Sequence, residues 1–144
     1  MIIEKIIKIN GSSWAFWKAL SSPLFYAERG GHYECDWKTN SPIIWIDHLG
    51  RRFHGKLLQF KSRKYLSFLR YEDHKHTAVR SIISYQTLLL GGNLVIKLSI
   101  NLIRDCERNE LEQYSKWADQ HLFNLNQLTQ SINSGFEDAK YLAS

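Results

Sequence analysis

The hydrophobic period changes along this chain, and that change constrains the fold more than any other feature. From Gly31 to about residue 102, apolar residues recur at every second position in successive short runs. Beyond about residue 106 they recur at every third or fourth position. Leu111, Tyr114, Ala118, Leu122, Leu125, Leu128 and Ile132 then share one stripe, which predicts one amphipathic helix of about 28 residues. Gly135 is its expected stop. Such a helix must bury its stripe, and the strands before it offer the surface to bury it against. If that sheet curls strongly, helix and sheet cannot close completely and a cavity remains between them. A fully packed interior is the alternative.

The rest of the chain fits around this pair. Residues 2–10 are rich in Ile and read as a strand. Ser12 or Ser13 can cap the helix that follows, on which Trp14, Trp17 and Leu20 share a face. Pro23 ends that helix and can open a second short one through Tyr26. Alternation sends Tyr33, Cys35 and Trp37 to one face of the next strand. Strands follow in PIIWID, FHGKLLQF and YLSFLRY, with Gly55 marking a bulge or a close approach. Two long strands flank Gly91-Gly92, a hairpin signal, and Leu94, Ile96, Leu98 and Ile100 share one face of the second. The expected architecture is α+β: a curved antiparallel sheet of about seven strands around a long C-terminal helix, with two short helices after the first strand. With no linker or repeat, residues 1–144 read as a single domain.

Charge and cysteine content narrow the function. The net charge of +5 is spread along the chain, densest from Arg51 to Arg70, which reads as a solvated hairpin face and not a nucleic-acid site. Cys35 and Cys106 make neither a metal-binding spacing nor a disulfide framework, so a reducing compartment is expected. No stretch approaches the roughly twenty apolar residues of a spanning helix, and the N-terminus lacks signal-peptide features. A soluble, cytoplasmic protein is expected.

Four segments carry a family resemblance. FWKALSSP, through Trp17, Ala19, Leu20 and Pro23, is similar to a Trp-x-Ala-Leu-Thr-Asp-Pro helix end. ECDWKTNSPIIWID, through Asp36, Trp37, Lys38, Ser41, Pro42 and Ile43, resembles an Asp-Trp-Lys-x-Gly-Ser-Pro-Ile strand pair. GKLLQFKSRKYLSF looks like a Gly-x-Val strand followed by a Leu-x-Phe strand, and KWADQHLFNLNQL looks like a terminal helix with one tryptophan, here Trp117. Together they resemble the SRPBCC group of the START and birch-pollen-allergen superfamily. The nearest branch is that of the C-terminal domain of activators of the heat-shock chaperone ATPase. The resemblance covers most of residues 2–132 and implies a helix-grip fold with a ligand cavity. Asn40 stands where the branch usually has glycine, and asparagine also tolerates a left-handed backbone.

Few residues suggest chemistry. His74 and His76 lie in a charged loop that can be solvated or touch an adventitious metal; no HExxH, metal triad or phosphate loop occurs, and no metal or cofactor is expected. His121 lies four residues after Trp117 at the edge of the helical stripe. It is either a boundary residue or a cavity acid–base group. Arg70 shares parity with Leu66 and Phe68; pointing inward, it would call for a ligand with an acid group, whereas a bulge would turn it to water. The expected cavity lining is Trp37, Trp45, Phe53, Leu57, Phe68, Arg70, Ile83, Tyr85, Tyr114, Trp117 and His121. The first function expected is binding of a small apolar or amphipathic ligand by a monomer or homodimer. A cyclase or dehydratase using His121 and Tyr85 is the second, and a chaperone-associated interaction module the third.

Overall fold

In the computed structural model, which describes residues 1–22, 31–72, 75–103 and 107–135, the Ile-rich N-terminus forms β1 (Ile2–Ile9). Its odd-numbered isoleucines turn inward, while Ile2 and Ile6 face solvent. Helix α1 (Ser13–Ser21) follows at once, because the Ser12 hydroxyl accepts from the Ala15 N–H at 3.1 Å and occupies one of the helix's free donors. Ser22, before Pro23, is extended (ψ 126°), as the proline ring demands. The buried face of α1 is Ala15, Phe16, Trp17, Ala19 and Leu20. Trp14, expected on that face, instead lies in the first turn, 43% exposed, with the Lys18 ammonium 4.7 Å over its ring. The second short helix expected from Pro23 lies outside the described residues.

Six more strands run β2 (Gly31–Cys35), β3 (Pro42–Asp47), β4 (Arg52–Lys61), β5 (Tyr65–Tyr71), β6 (Val79–Leu90) and β7 (Asn93–Leu102). They and β1 form one antiparallel sheet of seven strands in the order β1-β7-β6-β5-β4-β3-β2. Gly91 (φ 59°) and Gly92 (φ 81°) turn β6 into β7 with both central residues left-handed, the geometry whose twist matches that of the strands it joins. At Gly55 the neighbouring strand comes so close that a Cβ would stand 2.2 Å from the Leu69 carbonyl oxygen. The register shifts between Leu57 and Gln59 in β4 and between Arg70 and Tyr71 in β5. Irregularities of this kind bend a sheet, and this one is curved.

Helix α2 (Arg108–Asn133) lies against the concave face in a helix-grip arrangement, an α+β fold as the pattern predicts. Its C-terminal half supplies Leu122, Leu125, Leu128 and Ile132 to the core with Ile9, Phe16, Ile96, Leu98 and Ile100. The Asn126 and Asn133 side-chain oxygens accept from the Asn10 and Ser12 backbone N–H groups, both at 3.0 Å, and tie this half to the β1–α1 connection. Towards its N-terminus the helix is less well covered: Leu111, Tyr114 and Trp117 are only partly buried. No helix among the described residues is long and apolar enough to cross a membrane.

Candidate functional site

Where α2 parts from the sheet, a half-open cleft of about 1160 Å³ remains. Helix positions Glu110, Gln113, Tyr114, Trp117, Gln120, His121 and Asn124 form one wall, at the three- and four-residue spacing of a single face. Inward side chains of β2 to β6 form the other, among them Tyr33, Ile43, Trp45, Phe53, Phe68, Arg70 and Ile83.

Aromatic rings build its deep end. Trp117 stacks on the His121 imidazole (4.7 Å, 12°), and Trp45 meets both edge-on, at 6.4 Å and 5.4 Å. Tyr33 packs against Trp45 and Phe68, at 4.7 Å and 5.5 Å. Beneath these rings runs a buried polar chain. The Tyr33 and Tyr85 hydroxyls are 2.8 Å apart, and the Tyr85 hydroxyl is 2.9 Å from His121 Nε2. Hydrogen bonding offsets the cost of burying these groups.

The opposite side of the cleft is charged. Asp47 accepts from the Leu49 N–H (3.0 Å), the Arg51 N–H (2.9 Å) and Arg51 Nε (2.7 Å). Burial would raise the Asp47 carboxyl, but the Arg51 amide and guanidinium and the Leu49 amide outweigh it and hold the group below its ordinary 3.8. Arg80 donates to the Tyr114 hydroxyl and pairs with Glu110 (3.3 Å) and Glu72 (3.8 Å). The Arg70 guanidinium carbon stands 4.3 Å from the centre of the Phe53 ring, and its Nε is sealed from solvent with no hydrogen-bond partner among the described residues. Burial lowers the Arg70 pKa from its usual value; Tyr114 and Tyr33 oppose this and Arg80 adds to it. A guanidinium stays charged through such a shift.

Eight of the residues expected at the cavity line it: Trp45, Phe53, Phe68, Arg70, Ile83, Tyr114, Trp117 and His121. Arg70 keeps its parity with Phe68 because the register shift falls just after it, not before. Three others are placed elsewhere. Trp37 stands beyond the end of β2 with a left-handed backbone (φ 58°), which breaks the alternation that aimed it inward. Its ring packs on Phe60 at 5.5 Å, beside Trp17. Leu57 is fully buried in the core, and Tyr85 is fully buried behind Tyr33 and His121, with its hydroxyl 2.8 Å from the Tyr33 hydroxyl and 2.9 Å from His121 Nε2. Tyr33 was not among the expected lining residues, although its alternation with Cys35 marks the inward face. Arg80 was missed because it is out of step with the inward series Ser81, Ile83 and Tyr85. His76 stacks on Tyr71 at 4.5 Å, His74 lies outside the described residues, and no group of three potential metal ligands occurs among those described.

No family model matches the chain, and no curated protein matches it. Solved structures do, at low identity. Protein MLL2253 from Mesorhizobium loti is 14% identical, with a TM-score of 0.74 over 89% of this chain and 96% of that one. DynU16, a protein of the dynemicin biosynthetic locus, is 11% identical with a TM-score of 0.75; the match covers 92% of this chain and 48% of that one. The Aha1 dimer from Colwellia psychrerythraea is 14% identical with a TM-score of 0.67, covering 92% of this chain and 96% of that one. At these identities the likeness concerns the fold.

Proposed function

We propose that the protein binds one small apolar or amphipathic molecule in the cleft between α2 and the sheet. The observation that carries this reading is the cleft of about 1160 Å³ walled by Trp45, Trp117, Phe68 and Ile83. That volume lies just above the roughly 300–1,000 Å³ of usual small-molecule pockets, so a drug-sized ligand fits with room to spare. Apolar burial supplies roughly 25 cal/mol per Å², less the cost of ordering the ligand. The SRPBCC resemblance supports it, and the fold shared with the Aha1 dimer supports the homodimer alternative. The protein is proposed to act in the cytoplasm as a monomer or homodimer.

The test pairs native mass spectrometry of protein purified from cells with Trp fluorescence titrations of aromatic and aliphatic probes. Trp45 and Trp117 are the reporters. The cavity-filling variant Ile83→Trp is expected to remain folded, judged by its thermal transition, and to weaken probe binding at least about tenfold. No co-purifying molecule and no probe response would sink the reading.

The Tyr33–Tyr85–His121 chain favours a second reading, a cyclase- or dehydratase-type enzyme in the same cleft. There His121 would move the proton while Tyr85 fixes its Nε2. In that case His121→Gln abolishes turnover and leaves binding intact.

A further inference from the structure

The charges around the cleft are almost all balanced. Among the described residues, four arginines line it: Arg51, Arg52, Arg70 and Arg80. Arg51 pairs with Asp47 (2.7 Å), Arg52 with Glu34 (3.4 Å), and Arg80 with Glu110 (3.3 Å) and Glu72 (3.8 Å). Arg70 has no carboxylate among the described residues. What holds it is the Phe53 ring, over which it lies at 4.3 Å. A cation–π contact of this kind leaves the guanidinium's N–H donors free for other partners. One of those donors, on Nε, is out of reach of water and has no acceptor among the described residues. A half-buried cation with one sealed, unpartnered donor is costly unless something supplies the missing negative charge.

Tyr114 offers a second donor. Its hydroxyl oxygen accepts from Arg80, so its own O–H proton is free to point elsewhere, and no acceptor for it occurs among the described residues. Tyr114 and Arg70 both line the cleft.

Resting on the cavity reading above, we infer that Arg70 anchors an anion, so that the ligand is an apolar carboxylic acid. Its carboxylate sits on the Arg70 fork with the Tyr114 hydroxyl as a further donor, and its apolar body lies between Trp45, Trp117 and Phe68. Carboxylate suits the site because it matches the guanidinium fork with two parallel N–H···O bonds. Arg70 thereby selects the charge class, and the aromatic wall selects the shape.

Matched acid and neutral probes test this: 2-naphthoate against 2-naphthamide, and dodecanoate against dodecanol, titrated into wild type, Arg70→Met and Arg70→Lys. In wild type each acid is expected to bind at least tenfold more tightly than its neutral partner. Arg70→Met is expected to erase that preference without weakening the neutral probes. Arg70→Lys is expected to keep part of it, since a lysine carries the charge without the fork. Because methionine removes a half-buried cation that has no carboxylate among the described residues, its thermal midpoint is expected at or above that of wild type, which separates lost recognition from lost folding. Equal binding of acid and neutral probes, or an acid preference that survives in Arg70→Met, overturns the inference and leaves the cavity reading standing. Absence of binding by all four probes overturns both.

Discussion

At the scale of the residue, the charges around the cleft differ in how fully they are satisfied. Asp47 is saturated: two backbone amides and the Arg51 guanidinium converge on one carboxylate at the β3–β4 turn. Its pKa is lowered from 3.8, so the folded state favours the charged form. The stabilisation is therefore fully present above 3.8 and is lost as the pH falls through the lower folded value. Asp47→Asn keeps an acceptor for the amides but loses the ion pair, whose arginine side chain is 65% exposed. The variant is expected to cost about 0.5–1 kcal/mol at neutral pH. Urea denaturation of both proteins across the acid range should show the difference closing below 3.8; a constant difference would mean that the charge on Asp47 contributes nothing. Arg70 behaves oppositely, unsaturated and turned to the cleft. Its inward direction was legible from parity with Phe68, because alternation holds up to the residue at which the register slips. Tyr33 was equally legible from its alternation with Cys35. Tyr85 had the correct face but the wrong depth, since alternation gives a side chain's direction and not how far it lies from open space.

At the scale of the element, periodicity located the strands and the long helix, and failed where the backbone leaves its regular path. Leu94, Ile96, Leu98 and Ile100 all face the core as expected, since β7 is a regular inner strand flanked by β1 and β6. Trp37 was assigned to the cleft by continuing a period of two past Cys35, but β2 ends there and a left-handed residue redirects the ring. A bulky residue in that conformation is uncommon, so residue type alone does not announce it. Gly55 is the reverse case: an isolated glycine in a strand pattern signalled crowding, and crowding is what it marks. Gly55→Ala would place a methyl group 2.2 Å from the Leu69 carbonyl oxygen and 3.3 Å from Ile43 Cγ2. The first contact is with backbone, so relief requires β4 and β5 to separate where they flank the cleft. The expected cost is about 1–3 kcal/mol. Chemical denaturation measures it; a loss below a few tenths would mean that the two strands adjust freely.

At the scale of the molecule, the cleft follows from a mismatch between a long helix and a bent sheet, and only half of that mismatch is written in the chain. The stripe from Leu111 to Ile132 announces the helix. The bending irregularities at Leu57/Gln59 and Arg70/Tyr71 fall at residues that carry no turn or bulge signal of their own. Empty space leaves no pattern, since a residue lining a cavity and one filling a core obey the same alternation. The two halves of α2 should therefore differ in stability. From Ala118 onward, Leu122, Leu125, Leu128 and Ile132 are locked into the core, whereas Tyr114 and Trp117 border the cleft. Regions with fewer buried apolar contacts open at lower free energy. Amide hydrogen exchange is expected to be faster over residues 112–117 than over 122–132 in the free protein. A bound probe wedged against Trp117 supplies the contacts that the first half lacks, so 2-naphthoate at saturation should slow exchange mainly there. Uniform exchange along α2, unchanged by the probe, would mean that the core half alone fixes the whole helix and that the cleft wall gains nothing from being filled.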